Sequence, residues 1–494
     1  MGALVAVVSK RNNGNAVLEA VKMLKVLRHR GGETYGISTG SMTAIVKDLS
    51  DLADLVRVKS SIAIGYGCSG ILPEDAPQPI EYKDCKVAFD GRVFSPQYAG
   101  PREIPSLLEQ FNDIEVFAEN AIRGMNGIFS FAAIKDNRLI VGRDPMGAKP
   151  LYLCESQAFF ALASEKKALW ALGIDNGGIR SFPPGNMAEI SGDSVRMRVI
   201  KVLDEPIIKA VDEYAALERL YCMLLRSVRE KMYGLGEVSI GFSGGLDSSI
   251  LAALAKKFSV KVLLISVGLE GSKEVEWAEK TANIMGLPLK AETYAPEDVE
   301  ETLPKVLWLI EEANALKASI FIPIYWVAEI SSKLNSRVML SGQGSDELFA
   351  GYHKYLRDFG ISPDCVVRAT YGDVLRLHEN TLEAEEKVCS FHGVDVRFPY
   401  VDYELASFAL SLPITLKIAS QDDPLRKRIL RSLAKHIGLP EEIYLKPKRA
   451  IQYGTGVNRA LKRIAKKKGL SMQSLINKVF SEVRRHENGS SIFA

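Results

Sequence analysis

This 494-residue sequence lacks the features that would assign it to a membrane, secreted or nucleic-acid-binding class. No run approaches the ~18–20 consecutive apolar residues that span a bilayer, and Lys10, Arg11 and Asn12 interrupt the short apolar opening, so no secretory signal is predicted. The six cysteines show no CxxC or zinc-ligand spacing. Each is expected to be a buried small hydrophobe in a reducing, cytoplasmic setting. A formal net charge of only +3 argues against a dedicated nucleic-acid binder.

The composition, 47% hydrophobic and 25% charged, is that of a globular protein, and the length predicts two domains. Residues 1–205 contain dense short apolar runs, which indicate antiparallel sheets with helices packed on them. In residues 206–460 strand patterns alternate with helical ones, which indicates a doubly wound parallel sheet. Residues 461–494 are predicted as a basic tail. Its charged cluster is expected to be a solvated helix face: Lys462, Arg463, Lys466, Lys467 and Lys468.

The strongest local motif is residues 243–249, SGGLDSS, between a predicted strand and a predicted helix. Two glycines permit tight curvature and close approach of an anion, which the N–H groups at the helix start would then face. Asp247 would repel a phosphate, so its predicted role is to hold Mg²⁺. The GKS/T ending of a Walker loop is absent. The segment resembles instead the pyrophosphate-binding loop of ATP pyrophosphatases, which cleave ATP between the α- and β-phosphates.

A second motif, residues 340–352 (LSGQGSDELFAGY), also follows a predicted strand. Both loops would therefore emerge at the carboxyl edge of the sheet, where open α/β sheets bind ligands. The two segments resemble the nucleotide and magnesium signatures of the asparagine synthetase family. Residues 393–402, 439–443 and 446–454 resemble that family's downstream segments, and residues 265–268 with Gly271 and Ser272 resemble its adenosine-binding strand and loop. The resemblance runs from residue 1 to about 460.

The resemblance implies a two-domain α/β protein. An N-terminal Ntn-type αββα glutamine amidotransferase-like domain would precede a doubly wound ATP-pyrophosphatase (synthetase) domain. It also implies ATP and Mg²⁺ as cofactors, with Asp247 and Asp346 sharing the metal. Glu347 and Lys448 would act on the acyl-adenylate, and Lys446 is expected to be a solvated neighbour. The residues expected to bind pyrophosphate and nucleoside are Ser243, Gly244, Gly245, Leu246, Asp247, Ser248, Val267, Ser341 and Gly342.

The first domain's resemblance to N-terminal-nucleophile amidotransferases rests on residues 28–32, 124–129 and 143–152. That chemistry needs a cysteine at residue 2 whose own α-amine acts as the base, and this chain has Gly2. No glutaminase activity is therefore expected. Internal cysteines such as Cys68 and Cys85 have no free amine and are not expected to substitute for it.

The predicted glutamine pocket has also changed. Residues 90–92 read Asp-Gly-Arg where the family has Asn-Gly-Glu, and the family arginine expected shortly after Gly65 is missing. Asp113 still matches the acid that holds the substrate amine. In the second domain, Glu311 and Glu312 are followed by Ala313 rather than by the family's proline-containing sequence, which leaves the acceptor acid open.

These observations predict an ATP-dependent amide-forming ligase that adenylates a carboxylate, aspartate in the simplest assignment, for attack by ammonia. Its partners would be small molecules, without membrane or nucleic acid, and a homodimer is compatible with the resemblance. A lactam-forming synthetase is the first alternative, although such relatives carry tyrosine where this chain has Gln343. The others are a nucleotide-binding regulatory protein and an RNA-modifying ATP pyrophosphatase.

Overall fold

The computed structural model describes residues 2–11, 14–95, 98–111, 113–447 and 450–485, apart from the side chains of residues 53–56. The chain folds into two compact units. Residues up to Val202, with Arg484 and Arg485, form the first unit, and Leu203–Val483 form the second. The division falls where the sequence pattern changes from closely spaced strands to alternating strands and helices.

The first unit contains two antiparallel sheets. The seven-stranded sheet has the order β11-β9-β10-β1-β4-β2-β3, and the six-stranded sheet the order β13-β12-β8-β7-β6-β5. The strands are β1 (Gly2–Ser9), β2 (Thr34–Ser38), β3 (Thr43–Val46), β4 (Ile62–Cys68), β5 (Ile80–Tyr82), β6 (Cys85–Ser95), β7 (Asn126–Lys135), β8 (Arg138–Arg143), β9 (Tyr152–Glu155), β10 (Phe159–Ala163), β11 (Ile179–Ser181), β12 (Asn186–Ser191) and β13 (Ser194–Val199).

Helices cover the outer faces of both sheets. Alternate residues of β1 point to opposite faces. Leu4, Ala6 and Val8 pack in the core between the sheets, whereas Val5 and Val7 pack beneath the helices. The result is the predicted αββα layering. The helices are α1 (Ala16–Val26), α2 (Ile104–Phe111), α3 (Ile114–Gly124) and α4 (Lys166–Trp170), with 3-10 turns at Leu49–Arg57, Pro101–Glu103 and Asn176–Gly178.

The second unit is built on a five-stranded sheet in which every neighbouring pair is parallel. Its strands are β14 (Glu237–Gly241), β15 (Lys261–Leu269), β16 (Leu289–Tyr294), β17 (Val338–Leu340) and β18 (Asp395–Arg397), in the order β16-β15-β14-β17-β18. The chain winds outward from β14 to β16, then crosses back to β17. The strand order therefore reverses between β14 and β17, the point at which doubly wound sheets bind ligands.

Helical crossovers join these parallel strands, as the strand direction requires. The helices are α5 (Glu213–Lys231), α6 (Leu246–Ala255), α7 (Lys273–Met285), α8 (Pro296–Ile310), α9 (Ala315–Lys333), α10 (Ser345–Leu348), α11 (Lys354–Ile361), α12 (Pro363–Leu375), α13 (Glu383–Phe391), α14 (Tyr403–Ser411), α15 (Arg428–His436), α16 (Glu441–Tyr444), α17 (Ile451–Gly454), α18 (Val457–Lys467) and α19 (Met472–Arg485). A π-turn spans His378–Leu382, and a 3-10 turn spans Ile414–Leu416.

The segment expected to be a basic tail is helical over the residues of α18 and α19. Leu461 and Ile464 of α18 are buried, while Lys462, Arg463 and Lys466 are exposed on the opposite face. The lysine-rich cluster is thus a solvated helix face, as predicted. Within the described ranges no helix is both long and apolar enough to cross a bilayer.

The cysteines follow their prediction only in part. Four are buried, but Cys222 is exposed and Cys365 is partly exposed. Cys222 is exposed because it lies on α5, where Ala216, Leu220 and Leu224 form the buried face.

Candidate active site

The first loop leaves the parallel sheet between β14 and α6, which begins at Leu246 with Gly245 as its N-cap residue. Gly244 has a φ of +64°, and a β-carbon there would lie 2.7 Å from Trp277 Cδ1. Glycine satisfies both conditions without strain. The loop therefore turns tightly and presents backbone N–H groups at the start of a ten-residue helix, which is an anion-binding geometry.

Two serines hold this loop in shape. Ser243 Oγ accepts a hydrogen bond from the N–H of Gly245 at 3.3 Å, and Ser248 Oγ donates one to the Gly245 carbonyl at 3.4 Å. Leu246, which lies between them in the sequence, is buried and is the first residue of α6. The residues predicted to bind pyrophosphate thus form one continuous turn with hydroxyl groups and N–H donors.

The second loop follows β17, the neighbour of β14 in the sheet. Ser341 extends the strand pairing by donating its N–H to the Arg397 carbonyl at 2.9 Å. A β-carbon on Gly342 would lie 3.5 Å from Asp247 Cβ, so the two loops are in direct contact. Val267 is buried on β15, two residues beyond Ile265, which pairs with the last residue of β14. The predicted nucleoside-binding residues therefore lie at one edge of the sheet.

The predicted metal ligands meet at a lysine that sequence reasoning did not identify. Lys427 Nζ lies 2.7 and 2.8 Å from the two carboxylate oxygens of Asp247 and 2.7 Å from Asp346 Oδ1. Ser345 Oγ lies 3.0 Å from the same nitrogen. Lys427 is only 2% exposed, and it lies 180 residues from Asp247 in sequence. No local motif could have shown this contact.

The backbone that carries Lys427 has an uncommon shape. Arg426 and Lys427 have φ values of +50° and +51°, in the left-handed region where non-glycine residues are rare. The Arg426 guanidinium donates to the Gly351 carbonyl at 2.9 Å, which ties this turn to the second loop. A β-carbon on Gly351 would lie 2.0 Å from Asp346 Oδ1 and 2.2 Å from Lys427 Cε. Only glycine leaves room for this close approach.

The donor set fits a magnesium ion that arrives with a nucleotide. Among the described residues no group of three or more His, Cys, Asp or Glu side chains could hold a metal ion alone. Asp247 and Asp346 nevertheless lie close enough to contact a single cation, Lys427. Mg²⁺ is commonly held by one or two carboxylates, with phosphate oxygens and water completing its octahedron.

Glu347, predicted to act near the adenylate, is 5% exposed and accepts a hydrogen bond from the Tyr352 hydroxyl at 2.7 Å. Burial, and after it the charge of Asp346, raises the pKa of Glu347 to about 7. Its Oε2 atom has no hydrogen-bond partner. A carboxyl group that gains and loses a proton near neutral pH is suited to proton transfer.

The expectation that Lys446 is a solvated neighbour is wrong. Its ammonium lies 3.7 Å from the centroid of the Trp277 ring, a cation–π contact. Trp277 Nε1 in turn donates to the Gly244 carbonyl at 2.7 Å. Lys446 is therefore linked to the first loop through the Trp277 indole. The residues around Lys446 in the sequence could not predict this contact. Lys448, predicted as catalytic, lies outside the described residues.

In the first unit, the position of the missing nucleophile is occupied. A β-carbon on Gly2 would lie 2.2 Å from Tyr66 Cζ and 2.3 Å from its hydroxyl oxygen. Tyr66 is itself 1% exposed in the core between the sheets and lies opposite Leu4 in the pairing of β1 with β4. The tyrosine ring fills the space that a cysteine side chain would need.

Buried ion pairs fill the surroundings of Gly2. Arg30 Nε donates to the Gly2 carbonyl at 2.9 Å, and Arg30 Nη1 donates to Glu165 at 3.0 Å. Glu165 also contacts His29 and Lys167. Burial alone would raise the pKa of Glu165, but Lys167, His29 and Arg30 together hold it well below its usual range. The carboxylate is therefore charged and fully used by internal cations.

The altered pocket residues are paired in the same way. Asp90 faces two buried cations, Arg30 at 3.6 Å and Lys149 at 3.7 Å. Arg92 pairs with Asp75, and its Nε lies 3.4 Å from Glu74 Oε1. Arg92 is therefore held by internal carboxylates, whereas within the described part of the chain neither carboxylate oxygen of Asp90 has a hydrogen-bond partner.

Asp113, matched by resemblance to a substrate-binding acid, has a structural role instead. It caps α3 by accepting from the N–H groups of Glu115 and Val116, and it pairs with Lys135 at 2.7 Å. Burial raises the pKa of both Cys68 and Cys85 to about 11. Their thiols therefore stay protonated at neutral pH and are poor nucleophiles.

Comparison with known proteins agrees with this division of the chain. The profile of the family described as asparagine synthase matches residues 219–365 and 362–484, and that of a glutamine amidotransferase domain matches residues 69–171. A Methanocaldococcus jannaschii protein named as a candidate asparagine synthetase (glutamine-hydrolyzing) is 29% identical, with 96% of this chain and 97% of that protein aligned.

Other similarities cover less of either protein. A Bacillus subtilis asparagine synthetase (glutamine-hydrolyzing) is 29% identical over 61% of this chain and 54% of its own length. This chain therefore spans about half of that relative. Among solved structures, the allosteric regulatory enzyme of purine biosynthesis aligns with a TM-score of 0.35 and 15% identity, covering 58% of this chain and 80% of that one.

Proposed function

This chain belongs to the asparagine synthetase family of ATP-dependent carbon–nitrogen ligases, and we propose that it adenylates a carboxylate for attack by ammonia without glutaminase activity of its own. Aspartate is the proposed acid, and AMP and pyrophosphate are the proposed nucleotide products. The observation that carries this proposal is the meeting of Asp247 and Asp346 at Lys427, where two loops leave the sheet side by side.

The proposed roles follow from the chemistry of these groups. The N–H groups at the start of α6, with the Ser243 and Ser248 hydroxyls, would bind the departing pyrophosphate. Lys427 would neutralise phosphate charge once nucleotide enters. Asp247 and Asp346 would hold Mg²⁺, which when bound screens the charge of the phosphates. Val267, Ser341 and Gly342 would line the nucleoside side.

Amide formation then requires groups that manage charge on the acyl carbon and its leaving phosphate. Glu347 is buried and protonates near neutral pH, so it can exchange a proton with a reacting amine or carbonyl. Lys448 is proposed to place an ammonium beside the developing negative charge. A homodimer and a cytoplasmic location stay predictions.

The absence of glutaminase activity is proposed from two observations. Position 2 has no nucleophile and no room for one beside Tyr66, and the neighbouring charges of Arg30 and Glu165 are paired with each other. The relatives' names include glutamine hydrolysis, so this chain would differ from them in its source of nitrogen. A lactam-forming reaction would need a substrate that carries its own amine, and it stays the second candidate.

The test is product analysis with purified protein, Mg²⁺-ATP, a panel of acids and either ammonium chloride or glutamine. AMP, pyrophosphate and an amide should form with aspartate and ammonium, and glutamine should not replace ammonium. Asp247→Asn should keep the fold and lower the rate on the order of 10²-fold, because it removes metal-binding charge. The matched control Asp193→Asn removes an exposed carboxylate from a turn. ADP and phosphate as products, or an unaffected Asp247→Asn enzyme, would reject the proposal.

A further inference from the structure

Beside the nucleotide loops lies a buried carboxyl group that no role above uses. Glu385, on α13, is 2% exposed, and its Oε2 atom has no hydrogen-bond partner. Among the described residues no cation pairs with it. The nearby lysine of the same helix, Lys387, pairs instead with Glu311 at 2.9 Å, and both of those side chains are buried.

The neighbours of Glu385 place it at the proposed site. The polar side chains that act on its charge are those of Ser341 and Gln343, which belong to the loop after β17. Gly342, between them, is in contact with Asp247 of the first loop. Gln343 is partly exposed whereas Glu385 is buried. The carboxyl group is therefore buried next to the loop that contacts Asp247.

An unpaired buried carboxylate is unfavourable, because the protein interior replaces little of the hydration that the charge loses. Burial accordingly raises the pKa of Glu385 to about 7, against the smaller opposing effects of Ser341 and Gln343. A well-packed apolar residue would serve stability better at this position. A carboxyl group kept there is explained if a ligand supplies the missing positive charge.

From this geometry we infer that Glu385, with Gln343, is the receiving site for the ammonium ion whose nitrogen becomes the amide. This inference rests on the proposed function. Ammonium gives one proton to the Glu385 carboxylate, and the resulting ammonia attacks the acyl carbon of the adenylate. The new C–N bond forms, the acyl C–O bond breaks with its electron pair leaving on the AMP phosphate, and a second proton passes from nitrogen to solvent.

The test separates adenylation from amide formation in the full-length protein. Aspartate-dependent exchange of labelled pyrophosphate into ATP reports adenylation and needs no amine. Amide formation is followed against ammonium chloride concentration, and also with hydroxylamine, a nucleophile that is uncharged at neutral pH. The variants are Glu385→Gln, Glu385→Asp and a matched control, Glu379→Gln, which removes an exposed carboxylate from the preceding turn.

We expect Glu385→Gln to keep exchange within about two-fold and to raise the KM for ammonium by about ten-fold or more, the equivalent of one lost charge-assisted hydrogen bond. Hydroxylamine use should fall much less, and Glu385→Asp should recover part of the ammonium KM. The inference is overturned by an unchanged ammonium KM or by an equal loss of exchange and amide formation. A rise in the aspartate KM alone, which would assign the carboxyl to the acid's own ammonium, also overturns it.

Failure of the proposed function has a different signature. If the wild type shows no aspartate-dependent exchange, that function is wrong. The ammonium site is then judged by the unfolding temperature in ammonium chloride against sodium chloride at equal ionic strength. Preferential binding should raise the wild-type value by about 2 °C at saturating ammonium and leave Glu385→Gln unchanged. Equal shifts in both proteins would reject the site.

Discussion

Both units bury charged side chains, but they balance those charges differently. In the first unit, Glu165 is surrounded by Arg30, His29 and Lys167, which hold its pKa well below the usual range. In the second unit, no cation among the described residues pairs with Glu385, and its pKa rises to about 7. A carboxylate that internal cations satisfy strengthens the fold and leaves nothing for a ligand. One that lacks a cation weakens the fold and keeps binding capacity for a ligand.

The largest expected effect is on the free energy of unfolding. Substitution by glutamine should lower it at Glu165 and raise it at Glu385. Glu165→Gln breaks a buried ion network and should destabilise the protein by about 3–5 kcal/mol at pH 8. Because the folded pKa of Glu165 is lowered, its contribution is present above the unfolded pKa and is lost as pH falls towards the folded value. The destabilisation should therefore shrink in acid.

Glu385→Gln should do the opposite. Its folded pKa is raised, so stability is lost as pH climbs from the unfolded value of about 4.5 to about 7. At pH 8 the variant should be more stable by roughly 2–3 kcal/mol, and at pH 5 the two proteins should be alike. Denaturant unfolding at both pH values measures each variant. A Glu165→Gln protein as stable as wild type would remove the contrast between the units.

The next largest effect concerns Lys448. If its ammonium stabilises charge on the reacting acyl group, Lys448→Ala should lower amide formation by ~10²–10³-fold with little change in ATP affinity. Lys448→Arg should also fail, because a planar guanidinium differs in reach and shape from a compact ammonium. The control is Lys462→Ala, on the solvated face of α18. Full activity in Lys448→Ala would contradict the assignment.

Lys446 cannot serve as that control, because its ammonium contacts the Trp277 ring. Loss of this contact is itself expected to weaken ATP binding. Trp277→Phe keeps a ring beneath the Lys446 ammonium but removes the N–H that bonds the Gly244 carbonyl. One lost hydrogen bond should raise the KM for ATP about five-fold. Lys446→Gln, which removes the cation–π contact and keeps the indole N–H bond to the Gly244 carbonyl, should raise it about three-fold. Pyrophosphate exchange at varied ATP concentration measures both. Wild-type values would mean that the indole does not position the loop.

Contacts between distant segments mark the limit of what the sequence could predict. The strand and helix patterns predicted antiparallel sheets with packed helices and the parallel sheet, because both depend on local periodicity, while the αββα layering followed from the family resemblance. The SGGLDSS loop was predictable because its glycines and serines lie in one turn. Lys427 was not, since 180 residues separate it from Asp247 and only the folded turn at residues 426–427 directs it there. Glu385 lies among other acids in a helix, a pattern that normally indicates solvent exposure.

The last prediction tests the filled pocket of the first unit, and its expected effect on activity is none. Gly2→Cys restores a thiol where an N-terminal nucleophile would act, but the new side chain meets the Tyr66 ring. Overpacking of this kind lowers stability by about 1–3 kcal/mol. Glutamate release from glutamine should stay at the level of a blank without enzyme.

The double variant Gly2→Cys with Tyr66→Ala sharpens the test, because it removes the tyrosine ring and leaves the Gly67 carbonyl, 2.5 Å from the new β-carbon, as the remaining close contact. It should also stay inactive, because Arg92 stands where the family has the glutamate of its glutamine-binding Asn-Gly-Glu and remains paired with Asp75. If the double variant hydrolyses glutamine at a rate comparable with amide formation, the missing thiol and the Tyr66 ring alone explain why the wild type is inactive. Hydrolysis by the wild type would show that the chain contains a nucleophile elsewhere than at position 2.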